Sequence, residues 1–571
     1  MRSVHLHANR YLLPGAIAAL AIAIAAGPAG AAEMPPERIY LNARVWTGDP
    51  AQPAAEAFAV RGDRFIAVGP APAIEALAGT ATEIVDLEGR RVVPGFNDAH
   101  WHLPARKDAR LDNAGSVAVI QQRLKDYAAT LPAESWVTGR GWMPPDFPGN
   151  TAHKRYLDQV FPGRPVVIRD RDGHQALANA RALQLAKITR DTPDPADGII
   201  VRDASGEPTG LLKESAVSLV RDLLPALTTE DTYQLLIGEV TEAASLGLTS
   251  LQDATEGGLN DNERAAVTRA IAAGRLPVRY RSAVPFDEQP ERRQLRRYVE
   301  ACEAARGSLH ACGFAKLILD GTVDAKTAVM LEPYVGGGNG LAFLSQEQLE
   351  RAVTAYDRAG LQVEIHAIGD AGVRTALDAF ERARAAGAGD PRARRHRVEH
   401  IETIDPADIP RFGSLGVIAS MQPFHADPAP GQIDLWAANI GPERASRAWA
   451  WRSILDAGGR VAFGSDWPVV PFDPFIAIHG AVTRQTPAGE PPGGWLPAER
   501  LTIAEALAAF TLGPAVAAHA ETRRGMIAVG RDADLVVLDR DLLAEAPSAI
   551  VGSRVVATVV DGQVVHGEGA A

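Results

Sequence analysis

Pro94-Gly95-Phe96-Asn97-Asp98-Ala99-His100-Trp101-His102 is the stretch on which the fold turns. Its two histidines are two residues apart, and on a strand that spacing puts both imidazoles on one face. Two imidazoles on one face are half of a site for a divalent metal. Upstream, short apolar runs punctuated by glycine predict a small β unit over residues 32–94: Ile39-Tyr40-Leu41, Ala57 to Val60, Arg64 to Val68 and Ile84 to Leu87. Downstream, apolar strands alternate with stretches rich in Ala, Leu, Glu and Arg. The strand candidates are Leu248 to Leu251, Ala315 to Leu319, Gln362 to His366, Arg397 to His400, Gly416 to Ser420 and Val461 to Phe463. That alternation predicts an α/β fold with a (β/α)8 TIM barrel over residues 95–520. No glycine-rich dinucleotide fingerprint follows any of these strands.

Beyond residue 521 the chain returns to strands, Asp534 to Leu538 and Val555 to Val560. Asp561-Gly562 is a type I′ turn signal that joins the latter to Gln563-Val564-Val565. Two β-rich ends around one large middle predict a single β-sandwich made of residues 32–94 and 521–571. Residues 104–241 break the barrel rhythm and are too many for a loop without structure of its own. They read as a subdomain inserted after the first barrel strand.

Composition narrows the chemistry. Of 571 residues only 2 are Cys, which excludes a disulfide framework, a zinc ribbon or a typical iron–sulfur site. Cys302 and Cys312 either pair across a short loop or stay two buried thiols. A net charge of −12 argues against a nucleic-acid partner, which needs a basic face. Metal chemistry therefore falls to the 14 His and the carboxylates. The N-terminus reads as a signal peptide over residues 1–31. Arg2 and Arg10 precede the apolar run Leu12 to Ala26, and Ala29-Gly30-Ala31 is a small-residue cleavage site. The expectation is an exported, periplasmic or extracellular protein with no membrane association after cleavage; the other reading is an uncleaved anchor. A homo-oligomer stays open.

Catalytic groups of TIM barrels lie at strand C-terminal ends. His100, His102, His366 and His400 all occupy such ends, although either His366 or His400 taken alone reads more readily as a core histidine. His396 shares parity with His400 and would face inward about two layers lower, as support rather than ligand. Asp466, in Gly464-Ser465-Asp466-Trp467-Pro468, ends a late strand. It is either a general base and acid beside a metal or a turn-capping residue. Lys316 sits in an apolar strand, which is costly unless it is neutral or paired, for example with Asp320 or Glu364.

These residues, in this order, resemble the amidohydrolase superfamily. Further motifs resemble its family 3, the branch of N-substituted formamide deformylase and YtcJ-like hydrolases. They are Gly139-Arg140-Gly141-Trp142, Asp172-Gly173-His174 with Asn179, Glu207 to Glu214, Asp320-Gly321-Thr322, Glu332-Pro333-Tyr334 and His366 to Asp370. The resemblance implies a metal centre, binuclear zinc or a single ion. His100, His102 and Asp466 would hold the first metal and His366 and His400 the second, with Lys316 bridging as a carbamate. It implies a small-molecule substrate whose C–N bond, in an N-formyl, N-acyl or similar amide, is cleaved by metal-activated hydroxide with Asp466 as general base and acid. His174, Tyr334, Arg397 and Trp142 are the candidate substrate contacts, and Glu214 is a supporting acid or the partner of a nearby cation. Lactone, carbamate or deamination chemistry on the same site is the alternative. A non-catalytic binding or regulatory barrel is disfavoured because all six ligand positions are filled.

Overall fold

The computed structural model describes residues 34–567 except 105, 172, 306, 308, 388–390, 430 and 431. The expected signal peptide and Asp172 lie outside the described residues. Eight parallel strands form the central sheet: β1 (Phe96–Trp101), β2 (Leu248–Asp253), β3 (Arg279–Val284), β4 (His310–Ile318), β5 (Gln362–Ala367), β6 (Arg397–His400), β7 (Ile418–Met421) and β8 (Arg460–Phe463). They neighbour one another in sequence order. The turn after β8 returns to β1: the Asp466 amide donates to the His100 carbonyl (2.6 Å) and the His102 amide donates to the Trp467 carbonyl (2.7 Å). With helices packed outside, this is a (β/α)8 barrel. Strand β3 is absent from the strands that periodicity predicts. Its Arg279, Arg281 and Ser282 are buried polar groups that hide its apolar pattern.

Arg38–Leu41, Ala57–Arg61, Arg64–Gly69 and Glu83–Asp86 form a four-stranded sheet. A second sheet joins both chain ends, because Arg91–Pro94 pairs antiparallel with Leu535–Leu538 and places Val92 opposite Val537. Tyr40, Phe58, Phe65, Val92, Leu535 and Val559 share one apolar core between the sheets. In the last hairpin, Asp561 and Gly562 both have positive φ (49° and 73°), as a type I′ turn requires.

The segment after β1 carries its own six-stranded sheet, from Ala109–Arg110 to Pro208–Glu214, with two apolar clusters of its own. It ends earlier than the sequence suggests. Helix Thr229–Ser245 belongs to the barrel, because Tyr233, Leu236, Val240 and Ala244 pack into the barrel's core. Cys302, on helix Arg292–Ala304, and Cys312, on β4, form a disulfide. Among the described residues no helix is long and apolar enough to cross a membrane.

Candidate metal centre

The C-terminal ends of β1, β4, β5 and β6 and the turn after β8 converge on one point. His100 Nε2 lies 3.1 Å from His102 Nε2 and 3.4 Å from Asp466 Oδ1, and His102 Nε2 lies 3.0 Å from the same oxygen. Lys316 Nζ is 3.5 Å from His100 Nε2. On the far side of Asp466, Oδ2 is 3.8 Å from His400 Nδ1 and 3.1 Å from His425 Nε2. The His366 ring centroid is 4.4 Å from that of His400. The structure thus brings together His100, His102, Lys316, His366, His400 and Asp466.

Strand geometry alone does not produce this arrangement. His400 has φ 73° and Asp466 has φ 64°, left-handed conformations that side chains other than glycine rarely adopt. The inversion at His400 lets Arg397, Glu399 and His400 all turn into the barrel. Gly464 is required as glycine, because a Cβ there would lie 2.4 Å from the His100 amide nitrogen. Asp98 ties the two segments, accepting from the amides of His100 (3.0 Å) and Ser465 (2.9 Å).

The electrostatics suit cation binding. Burial, with Lys316 nearby, pushes His100 down to about 4. Burial also holds His366 and His400 well below the ordinary imidazole range, with neighbouring His400 adding to the effect at His366. Neutral imidazoles are the form that binds metal. Burial alone would raise Asp466, but His100, His102, His425 and His400 hold it well below the usual carboxylate range. His366 Nε2 is buried with no hydrogen-bond partner, which is costly for a polar atom unless something else binds it. Neutral imidazoles, an ionised carboxylate and an orphaned ring nitrogen fit a divalent metal.

A model of the amidohydrolase family matches residues 83–566. The chain belongs to the amidohydrolase family. Among amidohydrolase relatives, the putative amidohydrolase YtcJ of Bacillus subtilis is 32% identical over 496 residues, covering 85% of this chain and 90% of its own. The N-substituted formamide deformylase of Arthrobacter pascens is 28% identical over 537 residues, 92% of this chain and 97% of its own. The crystal structure of an uncharacterised metal-dependent hydrolase from Pyrococcus horikoshii is 25% identical, with a TM-score of 0.68 over 89% of this chain and 99% of that one. This amidohydrolase is a metal-binding hydrolase on a TIM barrel.

Three expected substrate contacts of the amidohydrolase are not at its site's surface. Arg397 is fully buried beneath it, spanning five strands. Its guanidinium reaches the Ala99 carbonyl on β1, Gln252 on β2, Glu364 on β5, Glu399 on its own strand β6 and Ser420 on β7. Tyr334 is buried, and its hydroxyl donates to the Ala328 carbonyl (2.8 Å). Trp142 packs edge-on against Phe147 and donates to the Ile168 carbonyl (3.0 Å) inside the inserted subdomain. Each has its polar atoms committed within the fold. His396 does not face the barrel interior as its parity suggests. It stacks on Phe380 at 4.7 Å and lies 3.2 Å from Asp357, both on outer helices. His174 does reach the centre, with its ring 5.3 Å from that of His366. The pairing of Lys316 with Asp320 or Glu364 is not found among the described residues. Glu364 pairs with Arg397 at 2.7 Å, and Asp320 accepts the amides of Val329, Ile368 and Gly369.

Sequence reasoning assigns no role to His425, Glu399 or Gln422. His425 sits in a single turn after β7, the one signal that it stands at a strand end. Glu399 accepts the His100 Nδ1 proton, and Gln422 Oε1 lies 2.9 Å from His400 Nδ1.

Proposed function

We propose that this amidohydrolase is an exported zinc enzyme that hydrolyses the C–N bond of small amides, N-formyl or N-acyl amines among them. The observation that carries this reading is the convergence of His100 Nε2, His102 Nε2 and Asp466 Oδ1 within 3.0–3.4 Å of one another at the mouth of the barrel. The relationship to an N-substituted formamide deformylase supports the choice of substrate. The disulfide supports export, because such bonds persist in oxidising compartments.

His100, His102 and Asp466 would hold one ion, and His366 and His400 would hold a second. Lys316 fits this set best as a carbamate, since an ammonium 3.5 Å from a ligand nitrogen would repel a divalent cation. A divalent ion held there supplies Lewis acidity to a water molecule and to the substrate carbonyl. Asp466 does the proton work. Its Oδ1 faces His100 and His102, while Oδ2, beside His400 and His425, takes a proton from the attacking water and returns it to the departing nitrogen. Surrounding imidazoles keep the carboxylate ionised and oriented. The acidic net charge of −12 suits a small-molecule substrate rather than nucleic acid.

The test is elemental analysis of purified full-length protein together with rates on a panel of N-formyl and N-acyl amines, esters and lactones. Stoichiometric zinc and preferential amide cleavage are expected. Active protein without a divalent metal, or cleavage of lactones or esters alone, would overturn the reading.

A further inference from the structure

The motif Gly139-Arg140-Gly141-Trp142 lies on strand Val137–Trp142 of the inserted subdomain, and one of its side chains crosses to the barrel. Both glycines face a packed neighbour. A Cβ at Gly139 would lie 3.0 Å from Leu111 Cδ1; at Gly141, where φ is 98°, it would lie 2.5 Å from Asp112 Oδ1. Arg140, between them, projects to the opposite face of the strand and is buried there. Its Nη1 donates to the Pro468 carbonyl, and its Cζ sits 4.6 Å from the centre of the Trp467 ring. Arg110 stands in register with Arg140 on the neighbouring parallel strand Ala109–Arg110, and its Cζ also lies 4.6 Å from that ring centre. A buried guanidinium is costly unless its charge and its N–H groups are met. Burial pushes Arg140 down to about 10, which leaves it charged at neutral pH, and a carbonyl and an indole ring meet that charge.

Trp467 and Pro468 directly follow Asp466. Asp466 has φ 64°, a backbone that a residue with a side chain keeps only where its surroundings hold it. The barrel holds the turn through its backbone. Asp98 accepts the Ser465 amide (2.9 Å), Ser465 Oγ accepts the Trp467 amide (3.0 Å), and the Trp467 carbonyl accepts the His102 amide (2.7 Å). The insertion holds the same turn through the Trp467 ring and the Pro468 carbonyl. We propose that Arg140, with Arg110 beside it, is a positioning residue for the hydrolysis: the docked insertion fixes where Asp466 places its carboxylate oxygens. This rests on the reading of Asp466 as general base and acid, and it adds the element that sets its position. Arg140 acts through Trp467 and Pro468 rather than through a contact with substrate.

The experiment is a double-mutant cycle on the zinc-loaded full chain, with the N-formyl or N-acyl amine that the wild type cleaves fastest and rates compared at equal zinc content. Arg140→Ala should lower kcat by about ten- to hundredfold with KM unchanged, the scale of a misplacement of about 1 Å at a reacting group. In the Asp466→Asn background the same substitution should cost less than about twofold, because residues that act as one unit do not lose independently. Arg140→Lys, which keeps a cation over the ring, should recover part of kcat. A readout free of turnover is fluorine NMR of metal-free protein labelled with fluorotryptophan. Arg140→Ala should move the Trp467 resonance, which Trp467→Phe assigns by its loss. If Arg140→Ala does not fold, Arg140→Lys and Arg110→Ala take its place in the cycle. A loss carried by KM, a loss undiminished in the Asp466→Asn background, an unmoved resonance, or lower unfolding stability with kcat intact overturns the inference and leaves the hydrolase reading in place. An Asp466→Asn enzyme as fast as wild type overturns the role of Asp466 and the inference with it.

Discussion

His100 donates its Nδ1–H to the Glu399 carboxylate, so its Nε2 is turned toward His102 and Asp466. Glu399 is 299 residues away in sequence and fully buried. Burial alone would raise its carboxyl, but Arg397 and His100 hold it well below the usual carboxylate range. The carboxylate therefore remains an acceptor, and the metal-facing nitrogen keeps its lone pair.

Glu399→Gln should uncouple this relay. The amide keeps the shape but loses the charge that Arg397 and His100 both face. Denaturant unfolding should show a loss of about 3 kcal/mol, typical of breaking a buried ion pair. Chelator competition should show metal affinity lower by about ten- to hundredfold, as for other partners of metal-binding histidines. Unchanged affinity would mean that Glu399 serves the barrel floor alone.

Asp466→Asn removes the proton carrier. It should reduce kcat by about 10²–10⁴-fold on amides, the range of general acid–base catalysis. Parallel metal analysis separates this loss from loss of the first ion. Undiminished hydrolysis would refute the role given to Oδ2.

Glu239 offers a pH signature in stability. It lies on helix Thr229–Ser245, and burial, reinforced by Glu242, pushes it up to about 7. A carboxyl whose folded pKa is raised contributes stability below its unfolded value of about 4.3 and loses it as pH rises through about 7. Glu239→Gln should therefore gain on wild type between about pH 4.5 and 7, by up to about 3 kcal/mol, and no further above that. Urea unfolding at pH 5 and pH 8 checks the sign. A difference that shrinks with rising pH contradicts the burial argument.

The disulfide and the N-terminus can be tested together. Protein recovered outside the cytoplasm should begin near Ala32 and carry Cys302 linked to Cys312. Reduction should lower its stability by about 2–3 kcal/mol, as expected for a short closed loop. Intact mass and peptide mapping read both. A cytosolic product retaining Met1 would end the export proposal.

Barrel strands and candidate ligands were legible for a local reason. Strand ends such as Gln362 to His366 are short runs with alternating Val and Ile that finish in a candidate ligand, and that pattern needs no tertiary knowledge. Strand β3 was not legible, because Arg279 and Arg281 answer to partners elsewhere: Asp534 for one, and Gln252 and Gln362 for the other. Parity failed at His396 for a similar reason, since the chain inverts at His400, where φ is 73°.

From the sequence alone came the family, the barrel and the six residues that meet at its mouth. Strand periodicity pointed to the barrel and its strand ends, and the resemblance of the ordered motifs implied the family and the set of six. Only the tertiary structure decided what each buried polar atom is bonded to. It gave Arg397 five strands to join rather than a substrate, Tyr334 a carbonyl, His425 a place at Asp466, and His174 a carboxylate behind it. A buried hydrogen-bonding group must find a partner, and packing brings residues hundreds of positions apart within reach. Spacing along the chain carries no information about that choice.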